Sequence, residues 1–152
     1  KVTFDIQKAK WVQASEISSE DYTIENLSLY LKNEESVFVV AYSDDKFVGM
    51  ASANLLNKPN GDTWLYIDEV DVCEEVQRQG IGTALIRFLL KFAMDSDCDE
   101  VWIGTEVDNV PANALYTSLN PSEIQKCIGY TYEVKYWVEK SNKSDQNKKN
   151  SK

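Results

Sequence analysis

One stretch of this sequence leaves few folds open. Residues 63–72, TWLYIDEVDV, read as an apolar-rich strand, and residues 73–82, CEEVQRQGIG, as a loop. Residues 83–96, TALIRFLLKFAMDS, carry Leu85, Ile86, Leu89, Leu90 and Ala93 at helical spacing, with Arg87 and Lys91 off that face. A strand that feeds an amphipathic helix must lay the helix back over a sheet to bury its stripe. Gly80 and Gly82 at the junction permit close backbone approach and conformations barred to other residues. Amides at a helix start can receive phosphate oxygens, helped by the helix dipole. Arg78, one of two arginines with Arg87, stands at the mouth of the loop, where a guanidinium can meet phosphate directly. The loop lacks the GK[ST] of a P-loop and the third glycine and early position of a dinucleotide fingerprint. On the two glycines alone, a turn with no ligand is the competing reading.

The other elements arrange themselves around that unit. Residues 2–8 read as a strand and 20–32 as a helix. Residues 36–42, SVFVVAY, and 47–56, FVGMASANLL, form a hairpin about Asp44, Asp45 and Lys46. Residues 100–107 predict a strand, and 109–119 a loop turning into a helix with Pro111 in its first turn. Residues 129–138, GYTYEVKYWV, alternate as a last strand. The expected architecture is α/β: one mixed, mainly antiparallel sheet with helices on both faces.

Composition narrows the chemistry. The 152 residues suit one domain, and 43% are apolar, enough for a core. The chain carries 25 acidic and 16 basic residues and a formal charge of −9, which argues against nucleic acid as the main partner. Residues 140–152, KSNKSDQNKKNSK, read as a disordered Lys-rich tail; removing its net +4 leaves −13 on the domain at 1–139. With no His, neither a Ser-His-Asp or Cys-His arrangement nor a histidine-ligated zinc is available, and no metal is expected. Cys73, Cys98 and Cys127 form no disulfide framework and fit a reduced, cytoplasmic compartment. No run reaches the roughly 18 apolar residues of a membrane span.

Two motifs then carry a resemblance. Gln77-Arg78-Gln79-Gly80-Ile81-Gly82 follows the strand ending Val70-Asp71-Val72, and Asn109, Ala112, Leu115 and Tyr116 fit the pattern N-x-x-A-x-x-L-Y. With these two elements the sequence resembles the GNAT superfamily of N-acetyltransferases over roughly residues 35–138. Within it, Tyr66–Val72, Arg78–Ile81, Thr83–Ile86 and Pro111–Thr117 look most like the aminoglycoside 3-N-acetyltransferase subgroup. The resemblance implies acetyl-CoA in an opening between the fourth and fifth strands. Backbone groups around Val70, Asp71 and Val72 would meet the pantetheine arm, and Gln77, Arg78, Gln79, Gly80, Ile81, Gly82 and Thr83 would surround the pyrophosphate. Asn109 would contact the arm, Ala112 would let it approach, and Tyr116 would donate a proton to the departing thiolate.

Transfer to an amine also needs a base. Without His it must be a carboxylate, a tyrosinate or water held by them, and Glu69 is the leading candidate. Strand alternation places Glu69 and Asp71 on one face and Asp68 on the other. Asp68, Glu69, Glu106 and Asp108 are the candidate substrate-side acids. An acidic body suits a cationic small amine such as an aminoglycoside. A polyamine, amino acid or protein amine, and a non-catalytic acyl-CoA-binding module, are the alternatives. A homodimer is the candidate assembly, with the last strand as a candidate edge. Two departures from the family stand out: only about 35 residues precede the hairpin, and residues 119–128, LNPSEIQKCI, are inserted before Gly129.

Overall fold

The apolar runs flanking Asp44 and Asp45 close as the hairpin their pattern demands. In the computed structural model, which describes residues 3–9 and 22–135, strands β2 (Ser36–Ser43) and β3 (Lys46–Asn57) pair antiparallel. Asp44 and Asp45 take positive φ angles of 50° and 61°, the left-handed pair that matches a two-residue turn to strand twist. Strand β1 (Asp5–Lys8) adds to β2, and β4 (Thr63–Val72) to β3, both antiparallel. Strand β5 (Glu100–Ile103) lies parallel to β4, giving the five-stranded order β1-β2-β3-β4-β5.

Both faces of the sheet are covered, which explains why β2 reads as an unbroken apolar run. Val37, Val39 and Ala41 point into one buried cluster, and Phe38 and Val40 into another. The first cluster takes Leu85, Ile86, Leu89 and Ala93 of helix α2 (Ile81–Asp95). Leu85 and Leu89 are fully enclosed, and each contributes about 1.5–3 kcal/mol by leaving water. The second cluster takes Leu27 of helix α1 (Ile24–Lys32), whose N-terminus Thr23 caps by accepting from the Asn26 amide. Helix α3 (Val110–Ser118) follows β5 and leans Leu115 and Tyr116 on the first cluster. The α/β expectation, a mainly antiparallel sheet with helices on both faces, holds.

Three sequence expectations shift. Strand β5 ends at Ile103, short of 107. Over residues 129–135 the expected last strand is absent: 129–133 are irregular and 134–135 helical. Alternation marks a ribbon with two unlike faces, but a strand forms only with a ladder partner. Residues 122–135 belong to a unit of their own, Ser122–Lys152, and expose Ile124, Ile128, Tyr130, Tyr132 and Val134. The stretches 10–21 and 136–152, including the Lys-rich tail, lie outside the described residues. The third shift is a break in the alternation of β4. Ser52 pairs with Glu69 but Ala53 with Ile67, so Asp68 is an extra residue, a β-bulge that resets which side chains face inward. Leu65 and Ile67 point into the α2 cluster before it, Val70 and Val72 after it.

Candidate active site

The bulge corrects the expected faces of the acids. Asp68 and Glu69 are both exposed, and both address the α1 side of the sheet. Asp68 sits close enough to Tyr30 of α1 to push the phenol upward, secondary to the burial that raises it most. Glu69 accepts a hydrogen bond from Tyr22, just ahead of α1, with 2.6 Å between Tyr22 Oη and Glu69 Oε2. Simple alternation would have separated the two acids; the extra residue turns both to one side.

Past the bulge, β4 stays paired with β3, and among the described residues no strand pairs with its other edge. Its pairing with β5 covers only Trp64–Ile67, leaving residues 68–72 without a β5 partner. The Cys73 amide donates to the Val48 carbonyl at 3.0 Å, which fixes the phase of the β3–β4 ladder. By that phase Asp71 and Glu69 turn their backbone groups to β3, and Val70 and Val72 turn theirs to the opening. Local side chains already answer those of Val72. Its amide donates to Asp71 Oδ1 at 2.9 Å, and its carbonyl accepts from Gln77 Nε2 at 2.9 Å.

The loop that follows combines a short 3-10 turn, Glu74–Val76, with two left-handed residues, Arg78 at φ 61° and Gly80 at φ 93°. Such alternation of backbone hand turns successive N–H groups into one concavity, an anion-accepting nest. It opens at the N-terminus of α2, where Gly80 is the cap, no cap side chain fills the site and the first turn holds no acid. The two glycines differ. At Gly80 a Cβ would meet nothing within 4 Å, so its requirement is conformational. At Gly82, which is buried, a Cβ would stand 2.8 Å from Leu115 Cδ1. Gly82 therefore serves the contact between α2 and α3. Ile81 is buried beside it, Thr83 is half-buried, and Arg78 is exposed at the mouth. Such a concavity of backbone donors at a helix N-terminus suits a phosphate-bearing ligand.

Asn109 and Tyr116 arrive on α3. Asn109 is its N-cap: Oδ1 accepts from the Ala112 amide at 3.3 Å, and Nδ2 donates to Thr105 Oγ1 at 3.0 Å. Its side chain is thus engaged in shaping the helix start, with Ala112 half-buried in the first turn. Tyr116 is half-buried, and burial pushes its phenol above the ordinary value of 10.0. The hydroxyl keeps its proton through the physiological range. Glu106 and Asp108 lie in the turn between β5 and α3, where their carbonyls accept from the Asn109 and Val110 amides. Their side chains are exposed, and no hydrogen bond among the described residues ties them to Asp68 or Glu69. Cys73 and Cys98 are half-buried free thiols, and Cys127 is an exposed one. No metal-binding cluster occurs among the described residues, and no described helix is long and apolar enough to cross a membrane.

Reasoning from sequence placed Tyr22 only among the apolar positions of the 20–32 helix and gave Tyr30 no role. Nothing local connects them to strands 47 and 23 residues later.

Comparison with known proteins gives the chain a family. Residues 3–120 match the model of the Acetyltransferase (GNAT) family. N-acetyltransferase 8 of Homo sapiens is 38% identical over 91 residues, spanning 59% of this chain and 40% of that protein. An N-alpha-acetyltransferase of Saccharolobus solfataricus is 29% identical over 109 residues, spanning 66% of this chain and 65% of that one. The chain thus spans less than two thirds of these curated relatives. Among solved structures, an aminoglycoside acetyltransferase from an uncultured soil metagenomic sample, in complex with sisomicin, superposes with a TM-score of 0.78 at 19% identity, covering 86% of this chain and 96% of that one. At that identity the likeness concerns the fold.

Proposed function

This chain belongs to the acetyltransferase (GNAT) family, and from that premise we propose that it moves the acetyl group of acetyl-CoA to a primary amine. The observation that carries the reading is the left-handed Arg78–Gly80 nest at the α2 N-terminus, continuous with the end of β4 that β5 leaves open. Bound there, acetyl-CoA supplies an activated thioester. The amides from Arg78 to Thr83 receive the pyrophosphate, helped by the helix dipole. Val70 offers its backbone groups to the pantetheine arm, and Asp71 and Gln77 adjust beside it by giving up their bonds to Val72. Asn109 and Ala112 shape the far wall.

Glu69 is the base in this reading. It takes a proton from the acceptor's ammonium, which frees the nitrogen lone pair to attack the thioester carbon. Tyr116, whose phenol burial pushes still further above the ordinary 10.0, holds a proton for the leaving sulfur. Asp68 beside Glu69 attracts the positive acceptor. Glu106 and Asp108 extend that acidity from the β5–α3 turn. The acceptor is then a cationic small molecule, and the net charge of −9 favours a polyamine or an aminoglycoside, as in the 3-N-acetylating subgroup. A second reading, a peptide N-terminal amine, is favoured by the identity with N-alpha-acetyltransferases. Antibiotic modification, a cytoplasmic location and a homodimer complete the proposal.

The test is thiol release from acetyl-CoA against several aminoglycosides, spermidine, amino acids and short peptides. Release with an aminoglycoside or spermidine, confirmed by a mass gain of one acetyl group, supports the small-cation reading. Release with peptides alone moves the acceptor to protein N-termini. Coenzyme A binding without release from any amine would make the chain a binding module.

A further inference from the structure

Glu69 is reached from across the sequence. Tyr22 Oη donates to Glu69 Oε2 at 2.6 Å over a separation of 47 residues, inside the range of about 2.5–2.7 Å for strong O–H bonds to carboxylates. The ring behind that hydroxyl has a firm seat. It meets Phe38 edge-on, with centroids 6.1 Å apart at 76°, and Phe38 is 3% exposed. Tyr30 meets the same Phe38 ring at 6.1 Å and 77°. Its hydroxyl donates to the Ala53 carbonyl at 3.0 Å. Ala53 is where the β3–β4 register shifts. Two tyrosines therefore grip the bulge from both strands, one through the backbone of β3 and one through the carboxylate of β4.

We infer that Tyr22 is a positioning residue for the acceptor-side base. The inference rests on the reading of Glu69 as that base. An exposed glutamate samples several rotamers, whereas proton abstraction needs one. Tyr22 holds Oε2 and leaves Oε1 to face the acceptor. The acceptor's N–H bond breaks, the proton moves to Oε1, and the electron pair stays on nitrogen; Tyr22 keeps its own proton. The segment entering α1 thereby couples the orientation of the base to the wall beside it.

The experiment compares Tyr22→Phe, Glu69→Gln and the double variant in the full chain. Turnover is measured with sisomicin, spermidine and a short peptide as acceptor probes, coenzyme A affinity by calorimetry, and Glu69 conformation by crystallography. Phenylalanine keeps the ring that meets Phe38 and removes the hydroxyl. The expected result is a kcat about tenfold lower in Tyr22→Phe with coenzyme A affinity unchanged, and a double variant no slower than Glu69→Gln alone. Glu69 should occupy one rotamer in the parent and more than one in Tyr22→Phe. Wild-type kcat in Tyr22→Phe, with Glu69→Gln strongly impaired, overturns the positioning role and spares the base. Wild-type kcat in Glu69→Gln overturns the base and this inference with it. If no probe turns over, the crystal structures decide: an unchanged single rotamer of Glu69 in Tyr22→Phe overturns the inference.

Discussion

The two sides of β4 are made from different material. Toward α2 the chain presents main chain: the left-handed Arg78 and Gly80, the amides that open α2, and the Val70 groups beyond the last β5 pairing. Toward α1 it presents side chains: Asp68 and Glu69 from a bulge, with Tyr22 and Tyr30 brought in from another element. A surface of amides suits a ligand that never changes, since backbone geometry tolerates almost any sequence around a fixed glycine. A surface of side chains can be re-cut one residue at a time. If the proposed base is right, acceptor choice is written in α1 and the bulge rather than in the loop.

Substitutions can break that comparison. The largest effect is expected from Glu69→Gln, with turnover falling about a hundredfold while coenzyme A affinity holds. A matching loss of coenzyme A affinity in calorimetry would mean that the two sides are not separate. Next comes Gly82→Val, because its side chain must displace Leu115 Cδ1. Overpacking of this kind costs about 1–3 kcal/mol, read as a lower midpoint in urea. Adding Leu115→Ala should recover part of it; no recovery would mean that the glycine's role is not the contact between α2 and α3.

How much of this could be read beforehand follows the same division. The loop was legible because strand, glycines and helix are consecutive, so each constraint is local. The double-faced core was legible from the unbroken SVFVVAY run. The facing of Asp68 was not, because a bulge is a relation between two strands and appears in neither alone. The grip of Tyr22 and Tyr30 was hidden for the same reason: contacts across 47 and 23 residues of sequence have no local signature. Residues 129–135 failed in the opposite direction, since their alternation supplies a face without supplying a partner.

Smaller effects sharpen the picture. Tyr116→Phe should lower kcat about tenfold, or about 1.4 kcal/mol, and leave coenzyme A affinity within twofold in calorimetry. Burial raises Tyr116 and Tyr30 above 10.0, so the folded form binds these protons more tightly than the unfolded chain does. Their contribution is therefore complete below pH 10 and is lost as the pH climbs through the raised values. Tyr116→Phe should accordingly blunt the alkaline fall in urea stability; an identical fall would remove burial as the cause. Last is Asn109→Ala, which deletes the α3 cap and should cost about 1 kcal/mol. A stability loss with little change in turnover would make Asn109 a residue that shapes the helix, and a larger kinetic loss would restore it to the cofactor wall.

The extra residue in β4 has a consequence for how such a protein can change. Position 68 is one surplus unit of chain length, absorbed by the bulge so that the ladder on β3 resumes at Glu69. Deleting Asp68 would seat Glu69 directly after Ile67 in plain alternation. Glu69 and Asp71 would keep the α1 side, Val70 and Val72 would keep the α2 cluster, and one acid would be lost. A codon can thus be gained or lost at this one point without turning the strand, and the change is read only in how many acids crowd the α1 side.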